Sequence, residues 1–107
     1  IADVTRNRPM DEWKGIFGFE MENQGELKGT CHDLFALASS IKNEGRICPD
    51  IYMWCGTEDF LYKDNIRLRD YIKRFDYAYI YEEGRGTHSW EYWDKQIQRV
   101  LEWMFKE

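Results

Sequence analysis

Ile51-Tyr52-Met53-Trp54-Cys55-Gly56, led in by Pro49-Asp50 and followed by Thr57-Glu58-Asp59, is the stretch on which the architecture turns. Five apolar residues in a row, with no polar alternation, predict a strand covered on both faces, as in parallel sheets. Gly56 ends the run, and the polar triplet after it reads as a loop. Further on, apolar positions 66, 68, 71, 72 and 75 form a helical stripe over 65–75, with Asp64 as its N-cap. Tyr77-Ala78-Tyr79-Ile80-Tyr81 reads as a second strand running into Glu82-Glu83-Gly84-Arg85-Gly86-Thr87-His88. Ser89 then caps a last helix from Trp90 to about Lys106, whose apolar positions 90, 93, 97, 100, 101 and 104 share one face. A strand, a helix and a second strand in this order imply a parallel pair.

Upstream of this unit, apolar residues at 34, 37, 38 and 41 predict an amphipathic helix. Thr30 or His32-Asp33 supplies its cap, and Gly45 stands where a terminating glycine belongs. Residues 1–30 are a loop-rich lead-in punctuated by Pro9, Gly15, Gly18, Gly25 and Gly29, with a turn at Asn23-Gln24-Gly25 and a short helix opening at Asp11-Glu12-Trp13. The expected fold class is α/β, a single segment over 1–107 with parallel strands and flanking helices. Two strands alone leave both sheet edges unpaired, so further strands must come from sequence outside this segment or from another chain. The start at Ile1, with no signal-like region, reads as a piece of a longer polypeptide or a processed product.

Composition narrows the function classes. The chain has 107 residues and a net charge of −5, which argues against a nucleic-acid or anionic-lipid footprint. Mean hydropathy is −0.73, and no apolar run approaches the roughly 18 residues of a membrane span. Five Trp, seven Tyr and six Phe argue against disorder. Cys31, Cys48 and Cys55 are odd in number and widely spaced, which favours reduced thiols and a cytoplasmic setting. No CxxC or HxxxH pair pre-places metal ligands among these cysteines, His32 and His88, so no metal or cofactor is expected. His32 reads as a helix-start residue.

In doubly wound sheets, ligands bind beyond the carboxyl ends of the strands. Asp59 and His88 both follow such ends, and neighbouring parallel strands would bring their loops together. A carboxylate that accepts from an imidazole N–H fixes its tautomer and stabilises the imidazolium formed in proton transfer. On spacing alone, an acid–base pair and two ordinary surface polar residues both remain open.

The residues themselves carry a resemblance. Cys55-Gly56-Thr57-Glu58-Asp59-Phe60-Leu61-Tyr62 and Gly86-Thr87-His88-Ser89-Trp90-Glu91-Tyr92-Trp93 resemble the two C-terminal motifs of bacterial tributyrin/acetyl esterases. These belong to the esterase D-like branch of the α/β-hydrolases, and the likeness covers roughly residues 14–107. It implies a serine carboxylesterase acting on small acyl esters, with Asp59 as orienting carboxylate and His88 as general base and then general acid. The same resemblance implies a nucleophile in a Gly-x-Ser-x-Gly elbow, and no such pentapeptide occurs here. Ser39-Ser40 lies on a helix and Ser89 directly follows the histidine, so the serine and the oxyanion hole are expected upstream. The isolated chain is expected not to hydrolyse esters.

Cys55 is a poor substitute nucleophile, because it shares a loop with Asp59 while the two would have to approach the imidazole from opposite nitrogens. Phe60, Leu61 and Trp90 are candidate substrate contacts; Phe60 and Leu61 alternatively pack under the loop and fix the Asp59 rotamer. Trp93 shares a helical face with Ile97 and reads as packing. Glu91 and Lys95 read as a solvated i,i+4 pair. Expected partners are an ester substrate and the missing N-terminal half, or another chain, at the open sheet edge. The rival reading is a non-catalytic interaction or assembly module derived from this fold.

Overall fold

A computed structural model describes residues 3–6, 12–18 and 21–106. The chain divides into two compact units, Ile1–Cys48 and Pro49–Glu107.

In the first unit, α1 (Glu12–Phe17) precedes a short 3-10 helix (Gln24–Leu27) and α2 (Leu34–Asn43). Trp13 and Phe17, one helical turn apart, stack at 5.3 Å between ring centroids. Trp13, Met21 and Leu27 form a small core against which Val4 and Phe17 pack. The expected turn at Asn23-Gln24-Gly25 is the entry to the 3-10 helix, where Glu26 Oε1 accepts the Asn23 N–H at 3.2 Å. Pro9 and Asp11, read as the approach to the first helix, lie outside the described residues. Of the alternative caps for α2, Asp33 fills the role: its Oδ1 accepts the Phe35 N–H at 3.0 Å and the Ala36 N–H at 3.3 Å. Gly45 follows the helix at φ 66°, a left-handed geometry that glycine adopts without a Cβ penalty. His32 packs its ring on Phe17 at 4.8 Å.

The second unit carries β1 (Ile51–Gly56), α3 (Tyr62–Ile72), β2 (Tyr79–Gly84) and α4 (Trp90–Met104). The strands pair in parallel, in register from Ile51↔Tyr79 to Gly56↔Gly84. Residues of one parity face α3: Asn65 Nδ2 reaches the Cys55 sulfur at 3.4 Å, and Tyr62 Oη donates to Glu83 at 2.9 Å. The other parity faces α4: Tyr52 meets Trp103 at 5.4 Å, and Arg99 pairs with Glu82 at 2.8 Å. One helix therefore covers each face of the pair, the layering expected of an α/β unit.

Several boundaries differ from the sequence reading, among them the end of α3 at Ile72 and that of α4 at Met104. Helix α3 begins at Tyr62, with Leu61 at the N-cap, so Asp64 lies inside the first turn and is buried. Strand β2 starts at Tyr79 and extends through Glu82 and Glu83 to Gly84. Those acids fit a strand because each is satisfied from its own side, Glu82 by Tyr52 and Arg99, Glu83 by Tyr62 and Tyr81. Ser89 stands at the N-cap of α4 without a side-chain capping bond. The apolar run of β1 is half-buried from Ile51 to Trp54 and fully buried only at Cys55 and Gly56. Among the described residues its sheet has two strands, so one lateral edge of β1 has no strand beside it.

Candidate active site

Both strands end at the same level, because Gly56 and Gly84 are register partners. The two loops then continue the pairing: Thr57 N–H donates to Gly84 O at 2.8 Å and Glu58 N–H to Gly86 O at 3.0 Å. The approach is so close that a Cβ on Gly56 would lie 2.2 Å from the Gly86 carbonyl oxygen. A Cβ on Gly86 would in turn lie 2.8 Å from the Tyr92 ring. Glycine at both positions is what lets the loops and the start of α4 close on one another.

This closure brings Asp59 to His88. Asp59 Oδ2 and His88 Nδ1 are 2.9 Å apart, although 29 residues separate them in the chain. The carboxylate is fixed from its other oxygen, where Oδ1 accepts the Leu61 N–H at 2.8 Å. Its side chain is 7% exposed and that of His88 37%, so the acid is sheltered while the imidazole reaches the surface. The histidine ring is held between two aromatics, Phe60 at 4.8 Å and Trp93 edge-on at 4.7 Å. With Nδ1 engaged by the carboxylate, the tautomer that donates there presents Nε2 as a basic nitrogen.

The three candidate substrate contacts separate. Phe60 and Trp90 are 72% and 80% exposed, Phe60 against the His88 ring and Trp90 against Trp93, whereas Leu61 is 4% exposed. Trp93, read as packing on its helical face, is half-buried in a helix with no buried residue, and its ring meets His88 and, at 5.2 Å, Trp90. Tyr52, Trp54, Trp90, Trp93, Ile97 and Val100 line an open groove of about 360 Å³ on the α4 side of β1. Glu58, read from sequence only as part of a polar loop, holds the Gly86 N–H with its carboxylate. Its place immediately before Asp59 was the available signal.

The side chains set aside as nucleophiles each have local partners. Burial, then the nearby Asp59 and Glu83 charges, push the Cys55 thiol up to about 11, so it is held as the unreactive thiol. The Ser39 and Ser40 hydroxyls donate to the helix carbonyls of Ala36 at 3.0 Å and Leu37 at 3.2 Å. Ser89 Oγ accepts from Thr87 Oγ1 at 3.4 Å. Among the described residues, no three His, Cys, Asp or Glu side chains group to hold a metal ion, and no helix is long and apolar enough to cross a membrane.

No protein-family model matches the chain. It is 36% identical over 94 residues to an acetyl esterase of Caldicellulosiruptor saccharolyticus, a match covering 88% of this chain and 34% of that protein. Its structure superposes with a TM-score of 0.71 on the S-formylglutathione hydrolase FrmB of Staphylococcus aureus (apoenzyme), at 38% identity over 76% of this chain and 32% of the other. With FphF of Staphylococcus aureus, a fluorophosphonate-binding serine hydrolase solved with substrate bound, the TM-score is 0.75 at 35% identity, over 88% of this chain and 35% of the other. The chain spans about a third of the length of each of these relatives.

Proposed function

From its kinship with part of the bacterial α/β-hydrolase esterases, we propose that this chain supplies the acid and the base of a Ser-His-Asp triad. The Asp59–His88 contact at 2.9 Å is the observation that carries the reading. The nucleophilic serine and the oxyanion donors come from sequence outside these 107 residues, because the chain has no Gly-x-Ser-x-Gly turn. In the reaction, His88 Nε2 takes the serine Oγ proton as the oxygen attacks the ester carbonyl. It returns that proton to the departing alcohol, leaving an acyl-enzyme. Water then attacks the acyl carbon, Nε2 accepts its proton and hands it to the serine oxygen as the carboxylic acid leaves. Asp59 keeps the ring in register throughout and stabilises its charged form.

Small acyl esters are the substrate class, with Phe60 and Trp90 as apolar walls beside the imidazole. The open edge of β1 receives the rest of the hydrolase sheet, in a cytoplasmic protein. By itself the chain is inactive toward esters. The test is p-nitrophenyl acetate hydrolysis by the polypeptide that joins this chain to its nucleophile-bearing part, comparing the parent with Asp59→Asn and His88→Ala. Loss of turnover in both variants supports the reading, and full activity in either removes it. The open β1 edge also favours a second reading, an assembly module that pairs with another chain. Activity retained by His88→Ala together with a stable complex through β1 would favour that alternative.

A further inference from the structure

We propose that Glu58 is a positioning residue that clamps the histidine loop onto the acid loop and so sets the Asp59–His88 distance. The proposal rests on reading His88 as the proton carrier, and its geometry lies just past the last paired residues of the sheet. Glu58 uses both of its ends on one residue: its N–H donates to Gly86 O at 3.0 Å, and its carboxylate accepts the Gly86 N–H. Both backbone groups of Gly86 are thereby taken by Glu58, which stands one residue before Asp59. Gly86 stands two residues before His88. The clamp thus adds one rung beyond the strand ends, at the point where parallel strands normally part into independent loops.

The Arg85 guanidinium also approaches Glu58, but at 3.5 Å and with its side chain 95% exposed. An ion pair so exposed contributes little, so the backbone contact is what ties the loops together. The Gly86 N–H, helped by Arg85 and Thr57 and opposed by some desolvation, holds the Glu58 carboxyl below its usual range. It therefore stays ionised, and a charge-assisted bond to a backbone N–H is among the stronger kinds of hydrogen bond. Thr57 Oγ1 donates to Glu58 Oε2 and Asp59 is engaged by His88, so the Gly86 N–H is left to Glu58, whose reach matters more than its charge.

The experiment separates reach from charge in the polypeptide carrying this chain and its nucleophile. Glu58→Gln keeps an acceptor oxygen at full length, Glu58→Asp keeps the charge but falls one methylene short, and Glu58→Ala removes both. In Glu58→Asp and Glu58→Ala, kcat on p-nitrophenyl acetate falls about tenfold with KM within about twofold, while Glu58→Gln stays within about threefold of the parent. The low-field proton NMR signal of the His88 Nδ1–H, assigned by its loss in His88→Ala, persists in the parent and Glu58→Gln and broadens in the other two. Glu58→Asp with parental kcat and an unchanged Nδ1–H signal overturns the clamp. If Glu58→Ala does not fold, the contrast between Glu58→Asp and Glu58→Gln decides alone. An active His88→Ala would instead remove the triad reading, and the NMR signal would still decide whether Glu58 positions the ring.

Discussion

His88 Nδ1 sits 2.9 Å from Asp59 Oδ2 because two parallel strands end on the register pair Gly56↔Gly84 and their loops stay hydrogen-bonded beyond it. The carboxylate is nearly buried, its second oxygen is satisfied by the Leu61 N–H, and the imidazole is braced between Phe60 and Trp93. A pair held in this way loses little conformational entropy when the ring takes a proton, which is what preorganisation requires.

Replacing Asp59 by Asn keeps the shape but offers an amide where a carboxylate accepted, so the imidazolium loses its counter-charge and the ring its preferred tautomer. In the nucleophile-containing polypeptide, kcat on p-nitrophenyl acetate is expected to fall by roughly 10³–10⁴-fold. Steady-state kinetics with KM within a few-fold of the parent distinguish this from a failure to bind.

The exposed aromatics and the buried leucine should respond to different assays. Phe60→Ala and Trp90→Ala are expected to weaken kcat/KM for butyrate esters more than for acetate, by on the order of 1 kcal/mol, and to leave stability almost unchanged. Leu61→Ala should cost about 2–5 kcal/mol in urea unfolding, since it empties a buried site. Equal effects of Phe60→Ala on the two esters would contradict its place as a substrate contact.

Gly56→Ala should be worse for stability than Gly86→Ala. The added methyl at 56 meets the backbone oxygen of Gly86, and at 86 it meets the Tyr92 ring, which a second substitution can remove. Each single change is expected to destabilise by at least ~1–3 kcal/mol. Tyr92→Ala should recover part of the loss in Gly86→Ala and none in Gly56→Ala, read as a double-mutant cycle from denaturant midpoints.

Cys55 and the exposed Cys31 give a labelling contrast. With the Cys55 thiol raised from 9.0 to about 11, iodoacetamide should modify Cys31 promptly and Cys55 only slowly near pH 8. The same shift makes stability fall as pH rises from 9.0 toward about 11, because the unfolded thiol ionises first and the folded one resists. Cys55→Ser should remove that part of the alkaline slope, and prompt labelling of Cys55 near neutral pH would contradict its burial.

At the acid end the sign reverses. Hydrogen bonds from the Gly86 N–H to Glu58, and from Tyr81 and Tyr62 to Glu83, hold both carboxyls below 4.5. Their contribution is present above that value and is lost as pH falls through the lower folded value. Glu58→Gln and Glu83→Gln should each flatten the decline in urea midpoint as pH falls through 4.5 and below. An unchanged slope in both would show that the acid sensitivity arises elsewhere.

The unbroken apolar run at 51–55, its glycine stop and the helical stripe after it were sufficient to identify a parallel strand–helix–strand unit. The literal residues around Asp59 and His88 pointed to a hydrolase. Both signals are local, since they depend on side-chain period and on short motifs that survive without knowledge of the partner strand. What residues face across space was decided only by tertiary structure. Strand β2 runs to Gly84 rather than stopping at Tyr81, because the hydrogen-bonding partners of Glu82 and Glu83 come from β1, α3, α4 and Tyr81 within the strand, with Arg99 of α4 the one opposite charge. Helix α3 starts three residues early, with Leu61 N–H turned onto Asp59 Oδ1, a bond that local capping rules read from Asp64 could not anticipate. Beyond its place before Asp59, nothing local marked Glu58, for its acceptor geometry exists only once Gly86 has been carried to it by the pairing of the two strands. Periodicity reports which side of an element is apolar, and the register between elements decides which polar groups meet.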